Sequence, residues 1–457
     1  MPIQNMPTQL QAVIQQGFLE TEFRNGLTSR LAYRNIADRE PISINIGETI
    51  TKTRQGFKAP ITTPMTPSGN TNLDNGLTPS ATAVEQYVLS LNMYGDTTDL
   101  NVVTSQVGIA NQFLLNAKVN GTQAAQSLDR LARNALFGTG SSAYAGGYLG
   151  GNTRVRTTLG SPNVTIAVDD VRGFGSALSN GVFQPVSGSY TTQVQVGSNT
   201  YTLTGVAVDG SNVSTSPLGI SGTLTFSATV LVADATALNT VALANAPVLI
   251  RPNGKWVGGS AFAPNTSTAS LTATDILTLS AIEDAVANLR NNTGLIGQDF
   301  DMYCDNISMR QLFADADFKQ AFQGQYGARE WRSGMVFKLG GVNYVPTTEA
   351  PQQVHPTNAA LKIHRPILCA PGALVEGDFA GMEQKAAEMG DLNAQIDYID
   401  DVCQVTRAPL DRLQQIVAQS WFWIGGFVTP TDATATSTII PTAGSQFLKR
   451  AVVIEHT

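Results

Sequence analysis

Apolar and polar positions along this chain fall into distinct rhythms, and each predicts a different element. Between Val103 and Phe137 the apolar residues recur at three- and four-residue steps. Val107, Ala110, Phe113, Leu114 and Ala117 come first, then Ala125, Leu128, Leu131, Ala132 and Ala135. That spacing places them on one helical face. Asp129 and Arg133 stand four apart on the other face, positioned to pair. Gly138 and Gly140 follow the last apolar residue and stop the helix. Asn120-Gly121 falls in the middle and predicts a bend, or two helices end to end. Helix over the whole stretch would span about 50 Å, which is the length of a strut with other elements hung along it.

A period of two frames the segment before it. ISINIGETITKTR (42–54) alternates through Ile42, Ile44, Ile46 and Ile50, and AVEQYVLSLNMYGDTT (83–98) through Val84, Tyr87, Leu89, Leu91 and Met93. Between them lies GFKAPITTPMTPSGNTNLDNGLTPSA (56–81), rich in Pro, Gly, Asn and Thr. A connection this long is functional or disordered in an ordinary domain, and with its flanking strands it predicts a projecting hairpin. Residues 1–41 hold only short helical runs, among them Leu10, Val13, Ile14, Phe18 and Phe23, and predict an arm that packs on something else.

After the glycine-rich 138–151, residues 152–262 change character. Short alternating runs (NVTIAV, TTQVQVG, TYTLTGVAV, TLTFSATVLV) are separated by turn signals such as Asp209-Gly210, predicting an inserted all-β module, a small sandwich or barrel. TATDILTLSAIEDAVANLRNN (272–292) predicts a helix capped by Thr274 or Asp275. FDMYCDN predicts a buried strand, ISMRQLFADADFKQAF a helix, and GMVFKLGGVNYVPTTEAP two strands turning at Leu339-Gly340-Gly341. ALKIHRPILCAPGALVEGDF predicts strand and turn, DYIDDVCQVTRAP and DRLQQIVAQSWFWIGGFVTP predict strands, and FLKRAVVIEH a last strand.

Composition narrows the function. Charged residues make up 14% of the 457, against a usual ~25%. Thr, Ser, Asn, Gly and Ala take their place, so the surface is polar but cheap to desolvate, as suits a subunit of a large assembly. A net charge of −7 argues against a surface that wraps nucleic acid. Cys304, Cys369 and Cys403 are far apart and lack zinc-site spacing, which predicts reduced, partly buried thiols. No signal peptide and no membrane-spanning apolar run are apparent in the sequence. The glycosylation sequons at Asn163, Asn212, Asn265 and Asn291 are therefore expected to be idle.

No catalytic constellation, cofactor site or metal site is expected. The glycine-rich run at 138–143 follows a helix and leads into more glycine, the wrong context for phosphate binding. His355, His364 and His456 lack helical metal-ligand spacing and are expected as hydrogen-bonded structural residues. Asp397, Asp400 and Asp401 read as a solvated turn or as partners for basic groups of a neighbouring subunit. Arg329, Trp331 and Arg332, among Tyr326, Met335, Phe337 and Lys338, form a basic-aromatic patch. Single-stranded nucleic acid would stack on such a patch. With three basic groups in an acidic chain, a contact between subunits is the better reading.

The order of arm, long hairpin, strut helix, α/β region and returning aromatic-rich strands resembles the major capsid proteins of tailed double-stranded DNA bacteriophages, the Hong Kong 97 fold. The resemblance is carried by IGETITKTRQGFKAPITTP through LDRLARNALFGTG and by VCQVTRAPLDRLQQIVAQSWFWIGGFV. It implies an α+β chain with an N-terminal arm (1–41), an extended β-hairpin loop (42–98) and a peripheral domain with a spine helix (99–151). An inserted β-rich domain (152–262), an axial domain (263–375), returning peripheral strands (376–430) and a C-terminal extension (431–457) follow. It further implies hexamers and pentamers closing into an icosahedral shell around double-stranded DNA, enclosed without specific binding. Scaffolding, portal and decoration proteins would be partners, and the virion the location. Lys58, the lysine near the loop tip, is a candidate inter-subunit contact; crosslinking through it lacks identifiable acid and asparagine partners. The alternative is a secreted or surface adhesin using the β insert for recognition, against which the absent signal peptide counts.

Overall fold

The computed structural model describes residues 20–27, 32–42, 49–55, 84–101, 112–138, 147–179, 182–210, 220–243, 249–255, 270–290, 297–322, 338–355, 358–379, 394–407, 416–430 and 450–457. The chain is α+β and divides into two compact units: 1–50, 88–132 and 375–427 form the first; 51–87, 133–374 and 428–457 form the second.

In the first unit, strands Ala37–Ile42, Leu374–Phe379, Ile416–Val428, Val402–Arg407 and Ala394–Ile399 lie side by side in that order. Asn92–Asn101 pairs antiparallel with Ile416–Val428 from Asn101↔Ile416 to Asn92↔Gly425. The aromatic run on that 13-residue strand supplies both faces, because side chains alternate. Trp421 and Trp423 pack with Phe23, Leu27, Ala124 and Leu128. Phe422 and Ile424 pack with Cys403, Phe379, Ile396 and Tyr398. Gly425 follows because the Trp423 ring lies across it: a Cβ there would sit 2.2 Å from the ring.

The long helix is Gln112–Phe137, 26 residues, about 39 Å at ~1.5 Å each. Its apolar stripe is buried as expected at Ala125, Leu128 and Ala132. Two expectations about it are corrected. Of the bend or the two helices end to end expected at Asn120-Gly121, the second is corrected: one helix runs on through that pair. Gly121 is there for a helix crossing: a Cβ on it would lie 2.4 Å from the Phe23 carbonyl oxygen, and one on Gly26 would lie 2.4 Å from that of Lys118. The short helix over 20–27 thus rests its backbone on the long one. Asp129 turns inward, 3% exposed. Its Oδ1 accepts N–H bonds from Ala32, Tyr33 and Arg34 at 3.1, 2.7 and 3.4 Å, while Arg133 reaches Glu349 at 3.2 Å. Gly121→Ala is a discriminating test. Helix propensity alone predicts a gain of ~1 kcal/mol, whereas the crossing predicts a net loss of about 1–3 kcal/mol from overpacking. A urea midpoint that rises would remove the crossing as the reason for glycine.

Arg34 is buried in the same unit and bonds Glu376 through both Nε and Nη2, the latter at 2.6 Å. Asp401 adds a second acid at 3.2 Å and also pairs Arg39 at 2.5 Å. The Asp400-Asp401 turn joins strands Ala394–Ile399 and Val402–Arg407 with both residues at positive φ, 46° and 72°, the conformation a two-residue hairpin requires. The expected acidic turn is present, and Asp401 finds its basic partners within its own chain.

In the second unit, six of the strands at 152–243 form one sheet in the order Asn152–Arg154, Thr240–Leu243, Thr192–Val196, Asn199–Val208, Gly222–Val230, Asn163–Val168, and Ser176–Ser179 pairs with Val182–Pro185 apart from it. A bridge from Val155 to Val168 joins the two ends, so this sheet closes into a small barrel. Its interior holds Val155, Ile166, Val194, Val196, Leu203, Leu224 and Phe226. Outward positions are Thr and Gln, among them Thr165, Thr202, Thr225, Gln193 and Gln195. Arg172, itself 3% exposed, grips Asp170 and donates to the Gly138 carbonyl just past the long helix. A cation at that position suits the helix dipole.

A second sheet runs Leu249–Ile250, Ala451–Ile454, Ile367–Cys369, Phe300–Cys304, Val342–Pro346, Lys338–Leu339. The strand 451–454 pairs parallel with 249–250 and antiparallel with 367–369, so the expected last strand is an interior member of this sheet. The expected turn at Gly340-Gly341 is present, with φ of 63° and 83°. Helix Leu279–Arg290 covers the sheet with Ala281, Ile282, Ala285 and Leu289. Its cap is corrected: Thr278 Oγ1 accepts from Ala281 N at 3.4 Å. Asp275 instead anchors the preceding turn, accepting from Thr272 N, Lys255 Nζ and Asn253 Nδ2. The helix expected over 307–322 is two, Asn306–Ala314 and Ala316–Phe322, with Asp315 between them.

Candidate functional site

Two features among the described residues bear on function: a buried polar cluster with the residue types of catalysis, and an apolar pair exposed on the long helix. The cluster starts from Asp305, where strand Phe300–Cys304 hands over to helix Asn306–Ala314. Asp305 is the N-cap; its Oδ1 accepts from Ser308 N at 2.9 Å and from Ser308 Oγ. His364 Nδ1 lies 2.5 Å from Oδ2, and Gln352 Nε2 donates to the same oxygen at 3.2 Å. His456 Nε2 lies 2.7 Å from Ser308 Oγ, and its ring stacks on that of His364 at 5.4 Å.

Proton accounting fixes the roles. Ser308 has one hydroxyl proton and gives it to Asp305. Its oxygen must then accept from His456, so His456 is the neutral tautomer with hydrogen on Nε2. Burial pushes Asp305 up, but the bonds from His364 and Ser308 outweigh it and hold the carboxyl far below its usual range. Burial, and after it the His364 charge, push His456 down to about 4. Ser308 and His456 are both 0% exposed, so the serine hydroxyl is sealed from any substrate. The arrangement holds segments together and has the geometry of a fastening. His355 is also hydrogen-bonded, its Nε2 to the Leu271 carbonyl at 2.8 Å and its Nδ1 accepting from Asn358 N at 3.1 Å. The sequence expectation for the histidines is met. Their grouping was invisible because the partners lie 59 and 148 positions apart.

The cysteines are free and buried. Burial raises Cys304 to about 12 and Cys403 to about 11, and lifts Cys369 well above its ordinary value. None carries thiolate near neutral pH. Among the described residues no group of three His, Cys, Asp or Glu is placed to hold a metal ion. No helix there is long and apolar enough to cross a membrane.

The candidate contacts Lys58, Arg329, Trp331 and Arg332 lie outside the described residues, as does the hairpin tip at 56–83. Strands Thr49–Gln55 and Val84–Ser90, which flank that tip, pair as a two-stranded sheet. On the long helix, Leu115 and Val119 are 54% and 55% exposed. They stand four apart, one turn above the other. Met93, on strand Asn92–Asn101, is 69% exposed. Single exposed apolar residues are ordinary; these two share one side of the helix. The signal was present in the sequence as apolar residues in excess of the buried stripe.

No protein-family model matches the chain, and no curated protein matches it. Among solved structures it is similar to the cyanophage Pam1 capsid asymmetric unit, at TM-score 0.46 and 10% identity over 93% of this chain and 92% of that one. It is also similar to the capsid of cyanophage P-SCSP1u (TM-score 0.44, 12% identity, 94% of this chain and 88% of that one). A third is the capsid of Ralstonia phage GP4 (TM-score 0.43, 10% identity, 93% and 88%).

Proposed function

We propose that this chain is the major structural subunit of a phage head of the Hong Kong 97 type, working by assembly. The observation that carries the reading is one of order. A paired hairpin stem, Thr49–Gln55 with Val84–Ser90, encloses the Pro- and Gly-rich 56–83. A 26-residue helix follows it in sequence. Sheet strands drawn from 37–42, 92–101 and 374–428 complete the first unit. In this reading that unit is the peripheral domain, the sheet of 249–454 belongs to the axial domain, and the barrel is an insertion. Subunits form hexamers and pentamers that close into an icosahedral shell around double-stranded DNA. Scaffolding, portal and decoration proteins are partners, and the mature location is the virion. The net charge of −7 suits a shell that encloses DNA without gripping it.

Negative-stain microscopy of the expressed protein tests this directly, with rings or shells as the expected result. A protein that stays monomeric by light scattering, with a scaffolding partner supplied, would refute it. The exposed helix pair gives a sharper test. Leu115→Asp with Val119→Asp alters exposed side chains only, so monomer stability stays within about 0.5 kcal/mol of wild type. Charge in a desolvated subunit contact is costly, so shells are lost. Shells of normal yield from the double variant would remove the pair from the interface.

A further inference from the structure

Strand Ala451–Ile454 is held in the interior of its sheet by backbone ladders on both sides, and the residues just after it enter the Asp305 cluster. His364 N donates to the His456 carbonyl at 2.8 Å, and His456 N to that of His364 at 3.1 Å. The two rings are therefore locked face to face at 5.4 Å by the backbone. Asp305 receives the Ser308 amide and hydroxyl on one oxygen and His364 and Gln352 on the other. Every lone-pair direction of that carboxylate toward His456 is thus already taken. His456 spends its Nε2 hydrogen on Ser308, which leaves Nδ1 bare, 3.4 Å from the Thr457 carbonyl.

We propose that the stacked pair His364–His456 is an acid-sensitive fastening. A proton taken from solvent by His456 Nδ1 releases the 451–456 segment from the sheet ahead of the rest of the fold.

The charges around the ring set the direction. From strand Lys362–His364 the His364 ring faces it, and from the cap of helix Asn306–Ala314 the Asp305 carboxylate does. Helix Asn306–Ala314 itself presents Ser308 and Gln311, neither titratable. The neighbouring Glu455 is occupied by Arg251 at 2.7 Å and Arg365 at 2.9 Å. The Thr457 carbonyl beside Nδ1 and the Asp305 carboxylate both favour a charged His456, but burial and the stacked His364 outweigh them. The imidazolium is thus far better tolerated once the segment has left its site. A histidine whose folded pKa lies below its unfolded value costs nothing above about 6.5. It destabilises the folded form increasingly as pH falls toward 4.

Amide hydrogen exchange on the full-length protein, read from pH 7 to 4, tests the fastening. Protection factors at Val452, Val453 and Ile454 are expected to fall about tenfold per pH unit between roughly 6 and 4.5. Those of the barrel amides Val194, Leu203 and Leu224 stay level. His456→Gln keeps an N–H for Ser308 and has no titrating ring, so its protection stays flat. Should that variant fail to fold, His364→Gln serves: it removes the charge that opposes protonation, so the folded value rises toward 6.5 and the fall in protection becomes shallower and ends at higher pH. A flat profile at 452–454 in the native chain, a parallel fall at the barrel amides, or a fall as deep in His364→Gln as in the native chain overturns the proposal.

Discussion

Glu455→Gln is expected to lower stability by about 3–5 kcal/mol. Glu455 is 1% exposed and lies between two guanidinium groups. Arg251 bonds its Oε2 at 2.9 and 2.7 Å, and Arg365 bonds its Oε1 at 2.9 Å. Glutamine keeps the volume and removes the negative charge that faces both buried guanidinium groups. Most of that cost is the desolvation of buried charge that has lost its opposite number. The pH dependence makes the assignment specific. Burial raises Glu455, but the Arg251 and Arg365 charges outweigh it and lower the carboxyl from 4.5 to about 2. A depressed carboxylate contributes fully above about 4.5 and loses its contribution as pH falls toward 2. Urea denaturation of monomer at pH 7 and pH 3 checks both points. Wild type should exceed the variant by the full amount at pH 7 and by less at pH 3; equal gaps would mean the charge is not what matters.

Deleting 56–80 is expected to leave a folded subunit that forms no shells. The stretch is rich in Pro, Gly, Asn and Thr with few large apolar residues to add to a core, so the thermal transition of the monomer should persist within a few degrees. It is long and carried on a two-stranded stem, the form of a segment that reaches a neighbour. Sedimentation would show small species where the full chain gives shells. Normal shells would show that 56–80 takes no part in assembly, and the hairpin would have to be reassigned. Together with the Leu115/Val119 variant, this separates a loss of assembly from a loss of fold.

The elements most legible in the sequence were those whose signals lie within a few residues of each other. The buried stripe at Ala125, Leu128 and Ala132, the turn at Gly340-Gly341, the hairpin across Asp400-Asp401 and the barrel strands all follow from periodicity and turn chemistry. The candidate site was not legible in the same way. Asp305, Ser308, His364 and His456 are unremarkable where each stands. Only Asp305 with Ser308 three residues on carries a local hint, that of a helix cap.

What the sequence determined by itself is therefore local: where the long helix runs, where strands alternate, where the chain turns, and that its surface is polar with little charge. Tertiary structure decided the use of each ambiguous residue. Gly121 became the seat of a crossing helix, Asp129 a buried acceptor for three backbone amides, and Val155 with Val168 the closure of a barrel. Glu455 became the partner of an arginine 204 positions away. The physical reason is range. Helix and strand preferences arise from neighbours within about four positions. A buried charge or a backbone contact is stabilised only by the particular group that folding brings to it.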